Sequence, residues 1–69
     1  MINQYTFHFI DLDLEVSEVD GSYLEIKGIE NLPYSIVWRA VDFLCKNNYD
    51  TPLCSNRVKF YAKSIVVNL

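Results

Sequence analysis

From Ile10 to Val16, apolar and acidic residues change places at every step, with Ile10, Leu12, Leu14 and Val16 on one parity and Asp11, Asp13 and Glu15 on the other. Side chains two apart share a side only in an extended strand, so this stretch predicts a strand with one dry face and one wet, acidic face. Upstream, Tyr5, Phe7 and Phe9 occupy the parity that becomes acidic, and the apolar side changes between Phe9 and Ile10. With Tyr5 to Val16 read as one strand, that change implies a bulge or a strand start covered on both faces.

Asp20-Gly21 is a turn signal, and the flanking pattern selects the loop. A two-residue loop would set Val16 against Glu25, whereas the three-residue loop Val19-Asp20-Gly21 sets Val16 against Leu24, Leu14 against Ile26 and Asp13 against Lys27. The second strand is expected from Ser22 to Gly28 or Ile29. Pro33 suits a helix start, with Asn31 or Ser35 near enough to cap it. Ile36, Val37, Ala40, Val41, Leu44 and Cys45 then recur at helical spacing, which predicts an amphipathic helix of about three to four turns. Asp42 and Lys46 form an i,i+4 pair, Lys46 complements the helix dipole, and Asn47-Asn48 offers a left-handed exit. Asn48 to Ser55 reads as a surface loop. Arg57 to Leu69 alternates again, with Val58, Phe60 and Ala62 opposite Arg57, Lys59, Tyr61 and Lys63, before the apolar tail Ile65-Val66-Val67.

The resulting expectation is a single α+β domain over residues 1–69, in the order β-β-α-β. Its three-stranded sheet runs 2-1-3 with the first strand central, and one helix covers one face. In that arrangement the acids of the first strand lie beside Lys59 and Lys63 on one flank and Lys27 on the other. Ile36, Val37, Val41 and Leu44 pack on Leu12, Leu14, Leu24, Ile26, Val58 and Phe60.

With 69 residues there is room for one core, and domains this small seldom draw more than about 3 to 5 kcal/mol from it. The net charge of −3 disfavours broad attachment to nucleic acid or anionic membrane. It conceals a split: residues 1–30 carry seven acids against Lys27, and residues 31–69 carry five bases against Asp42 and Asp50. No apolar run approaches the roughly 18 to 20 residues that cross a bilayer, and the first residues lack a signal-peptide pattern, so a cytoplasmic protein with no membrane partner is expected. Cys45 and Cys54 are then expected to be thiols, and with His8 they make no recognisable metal site.

Four features invite a functional reading. The wet sheet face gathers Asp11, Asp13, Glu15, Tyr23 and Glu25 beside Arg57, Lys59, Tyr61 and Lys63, either a docking face rimmed by tyrosines or an ordinary solvated face. Tyr5, Phe7 and Phe9 on the wet parity would leave an apolar patch for a homodimer or partner unless another segment folds over it. Tyr34 and Trp38 stand at i and i+4 beside Arg39, as interface anchors or as a widening of the core stripe. His8 has no partners for a triad, and Asp11 with Asp13 lacks further converging ligands, so no catalytic residue, metal or cofactor is assigned. With only Gly21 and Gly28 available, no phosphate-cradling glycine motif occurs.

These features favour a small, acidic, non-enzymatic module that binds a larger protein. One version is a viral (phage) or mobile-element inhibitor that docks on a host nucleic-acid machine, anti-CRISPR-like or as a nucleic-acid mimic, presenting carboxylates to a basic groove. The alternatives are a homo-oligomeric structural or regulatory subunit, using Tyr5, Phe7, Phe9 and the tail Ile65 to Leu69, and a single-strand nucleic-acid binder, using Tyr23 and Tyr61 with Arg57, Lys59 and Lys63.

Overall fold

A computed structural model describes residues 1–51 and 55–69, which form strands β1 (Ile2–Phe9), β2 (Leu12–Val19) and β3 (Tyr23–Lys27), helix α1 (Tyr34–Asn48), a 3-10 turn (Ser55–Arg57), and strands β4 (Val58–Phe60) and β5 (Ser64–Asn68). Among the described residues the sheet has five strands in the order β1-β2-β3-β5-β4, every neighbour antiparallel. The α+β class and the single covering helix agree with the sequence. The three-stranded 2-1-3 sheet does not, and the central strand is β3.

Both extra strands come from hairpins inside segments expected to be single strands. Phe9 pairs with Leu12, so Ile10-Asp11 is a two-residue loop, and Ile10 adopts a left-handed φ of 56°. An even-numbered loop returns the chain with its inward side chains on the other parity. The change of sides at Phe9 is therefore a reversal of direction, neither a bulge nor a strand covered twice. Tyr5, Phe7 and Phe9 pair with Val16, Leu14 and Leu12 on the helix side, where Phe7 is buried and the other two are half-buried. Likewise Arg57 to Leu69 folds back at Ala62-Lys63, where Tyr61 N–H donates to Ser64 O at 2.8 Å and Phe60 pairs with Ile65.

The Asp20-Gly21 hairpin has the expected loop length but is displaced along the chain. Val19 faces Tyr23, which sets Val16 against Ile26 and Glu15 against Lys27. The register moves by two residues, so the dry face stays dry. Asp20 and Gly21 both have positive φ, 51° and 68°, and Ser22 N–H donates to Val19 O, the mirror-image turn that matches strand twist. The Met1 amine also meets the Asp20 carboxylate.

Pro33 caps α1 through its carbonyl, which accepts from the N–H groups of Ile36 and Val37, and no side chain supplies the cap. At the other end Tyr49 and Thr51 both donate to Cys45 O, and the left-handed residue is Asp50, not Asn47 or Asn48. Asp42 and Lys46 form the expected pair at 3.3 Å. The crossover from β3 through α1 reaches β4, which runs parallel to β3 with β5 between them. Val37, Ala40, Val41, Leu44 and Cys45 meet Phe7, Leu14, Val16, Leu24, Ile26, Ile65 and Val67 in one core. Each fully buried Leu, Ile or Val there contributes about 1.5 to 3 kcal/mol of gross stabilisation. Phe60, placed in the core by its parity, is 43% exposed on the border strand β4, where it packs against Tyr34 and Trp38 at the edge of the helix. No helix among the described residues is long and apolar enough to cross a membrane.

Candidate functional site

The sheet's outer face follows from the register. One cross-strand row runs Thr6, Glu15, Lys27 and Ser64, the next Gln4, Ser17, Glu25, Val66 and Lys59, and a third Ile2, Val19, Tyr23 and Asn68. Acids thus lie toward β2 and bases toward β4. Lys59 stands three strand spacings from β2, about 14 Å, beyond the screening length of about 8 Å at physiological salt, so it is no partner for Asp13 or Glu15. The acids find nearer company. Asp13 Oδ1 lies 2.5 Å from His8 Nδ1, Glu15 sits opposite Lys27, and Glu25 lies 3.6 Å from Lys27. Lys63, from the tip of the last hairpin, shares a shallow hollow with Asp13, Glu15, Lys27 and Glu30. Asp11 stands apart, at the Ile10-Asp11 loop.

A wider hollow opens over β3, β5 and β4, lined by Tyr23, Glu25, Lys59, Tyr61, Ala62, Lys63, Ser64, Val66 and Asn68. It unites Tyr23, Glu25 and Tyr61, three of the residues singled out from sequence, with Lys59 and Lys63. Tyr23 and Tyr61 are 37% and 55% exposed at its rim, and Val66, outward-facing on β5, gives it an apolar floor. Such a surface offers ring area, hydrogen-bonding tips and charges of both signs to a convex partner.

On the helix side, two aromatic groups flank α1. Tyr34 and Trp38 gather with Phe60, the Tyr34 and Phe60 rings stacking at 5.2 Å and Trp38 lying 5.7 Å from Phe60. Across the helix, Phe43 lies over Phe7 and Phe9, with ring centroids 6.2 and 5.5 Å apart. Phe7 is buried, with Tyr5 and Phe9 half-buried, so the aromatic chain start is partly covered. Phe43 and Phe60 are surface aromatics that periodicity missed. Phe43 carried a detectable signal, since it lies outside the apolar stripe of its own helix.

Tyr5 and Tyr49 share a hydrogen bond of 2.5 Å between their hydroxyls, and Tyr49 also donates to Glu18 at 3.1 Å. Burial first, and then these bonds, raise the Tyr49 hydroxyl above its usual pKa. This trio ties the end of α1 to the first hairpin. Cys45 is buried, and desolvation followed by nearby Asp42 raises its thiol above the ordinary range, the mark of an unreactive packing group. Cys54 lies outside the described residues. Among those residues no three His, Cys, Asp or Glu side chains gather as metal ligands would. No family model matches the chain, and no match is found among curated proteins or solved structures.

Proposed function

We propose that this chain is a non-enzymatic protein-binding module that acts by covering a surface of a larger protein, within a reducing compartment where Cys45 remains a thiol. The observation that supports the reading is the outer hollow, where exposed Tyr23 and Tyr61 flank Val66 among Glu25, Lys59 and Lys63. Tyrosine anchors around an apolar floor, ringed by polar groups, are the composition of a docking site.

Crosslinking in the native host, with mass spectrometry of the captured complex, identifies the partner, and calorimetry on the purified pair then tests the site. Tyr23→Ala and Tyr61→Ala are each expected to weaken binding by about tenfold or more, with an unchanged melting curve. Undiminished affinity in both variants, with binding lost in Trp38→Ala, would move the contact to the helix flank and sink this assignment.

The inhibitor version adds Asp11, Asp13 and Glu15 as groups that meet a basic groove. His8 already hydrogen-bonds the Asp13 carboxylate, and Lys27 stands opposite Glu15 in the register. A nucleic-acid-handling partner whose affinity ignores salt rules this version out.

A second reading, single-strand nucleic-acid binding, is favoured by one placement: Tyr23, Tyr61, Lys59 and Lys63 share one hollow, in which Glu25 is the single acid among the lining residues. Titration with a mixed oligonucleotide at low salt, followed by NMR, is expected to move the Tyr23 and Tyr61 ring signals. Unmoved signals exclude it.

A further inference from the structure

The two borders of the sheet are built differently. β1 is eight residues long, keeps unbroken register with β2 from Ile2 to Phe9, and contains no Lys, Arg, Asp, Glu, Pro or Gly. β4 is three residues long and carries Lys59, with Arg57 before it and Lys63 beyond. Short length and cations are common means of keeping a sheet edge from pairing with another chain. β4 has both and β1 has neither.

The groups that β1 presents follow from its hairpin. Residues flanking a two-residue loop, here Phe9 and Leu12, exchange hydrogen bonds, and the ladder then alternates residue by residue. Odd-numbered residues therefore turn N–H and C=O toward β2, in keeping with Met1 O accepting from Asp20 N–H at 2.9 Å. Ile2, Gln4, Thr6 and His8 turn theirs away from the sheet, where the strand order ends. The helix side of this border is apolar, because Phe43, 49% exposed, stands over Phe7 and Phe9.

We propose that β1 is the interface of a two-fold dimer, in which a second copy of this chain adds its own β1 antiparallel and the two sheets become one of ten strands. Side chains directly opposite in an antiparallel pair share a face, so the axis must pass through a residue and not between two. Centred on Tyr5, the register sets Ile2 against His8 of the partner subunit and Gln4 against Thr6 of the partner subunit, which pairs all four outward-turned residues of each strand. Centred on Thr6, it would set Ile2 against Ile10 of the partner subunit, a residue that has left the strand at φ 56°. The strand is self-compatible, which favours a second copy as the occupant. In this register no like charges stand opposite one another, and every outward-turned residue of one strand meets an outward-turned residue of the other. Both helices lie on one face of the joined sheet, their Phe43 flanks turned toward the axis, so association also covers Phe43.

Sedimentation across a concentration series, with amide hydrogen exchange by NMR, tests this on the full chain. The expected result is a particle of twice the chain mass in which the Gln4, Thr6 and His8 amides are protected and lose protection on dilution, while Tyr5 and Phe7 stay protected throughout. Thr6→Pro removes an outward N–H and leaves the β2 ladder intact, so it is expected to give a folded monomer. If that variant does not fold, the double variant Gln4→Lys and Thr6→Lys decides. It sets lysine against lysine twice across the axis, places residue 6 opposite Glu15 within the chain, and is expected to weaken association about tenfold or more. A single-chain mass at every concentration overturns the proposal. So does a dimer whose Gln4, Thr6 and His8 amides exchange freely, or one that survives the lysine pair.

Discussion

Two aromatic trios flank the same helix, and only one of them reaches the core. Phe7, Phe9 and Phe43 lie on the β1 side, where an eight-residue strand gives them a floor, and Phe7 is only 9% exposed. Tyr34, Trp38 and Phe60 lie on the β4 side, where the strand is three residues long, and Tyr34 and Phe60 remain 63% and 43% exposed. Aromatic character at a suitable spacing does not decide burial. Only the trio resting on the long strand reaches the core, and it does so through Phe7, while its outer member Phe43 stays 49% exposed, as open as Phe60.

The contrast breaks most directly at Phe7. Phe7→Ala is expected to cost about 3 to 5 kcal/mol, comparable to the whole stability of a domain this small, and circular dichroism should find the variant largely unfolded. A cooperative melt near that of the parent would mean that the β1 flank is no more built-in than the other. Ile10 sharpens the comparison, because its turn is what returns the chain and supplies the long floor. A β-branched residue at φ 56° carries strain, and Ile10 is 71% exposed, so little burial is lost on replacing it. Ile10→Gly should therefore raise stability by about 1 kcal/mol, read as a higher urea midpoint with an unchanged slope. The smallest effect is expected on the open flank, where Phe60→Ala should shift stability by less than about 1 kcal/mol. A loss matching that of Phe7 would place Phe60 in the core after all.

The helix was legible because its buried stripe, Val37, Ala40, Val41, Leu44 and Cys45, repeats at helical spacing and nothing interrupts it. The sheet was half legible. Parity correctly sorted Leu14, Val16, Leu24 and Ile26 inward, yet two of the three hairpins lack the Gly or Asn that would announce them. Ile10-Asp11 has neither Gly nor Asn, and Ala62-Lys63 joins two segments whose alternation reads straight through. The only trace of the first was the change of sides after Phe9, and a bulge produces the same trace. The tyrosine hollow was readable in part, since Tyr23, Glu25, Lys59 and Tyr61 face outward under either topology. Which acids stand near which lysines depends on strand order, and that is a long-range property no local pattern encodes.

The strand that joins β3 to β4, Ser64–Asn68, is the last of the five along the chain, yet it occupies an interior place in the sheet. Leu24 and Ile26 therefore gain their neighbours on that side of β3 only from Val67 and Ile65, about forty residues further along. Pairing across so much chain is the kind of non-local contact that slows folding, so substitutions along this seam are expected to change the folding rate more than those in the first hairpin.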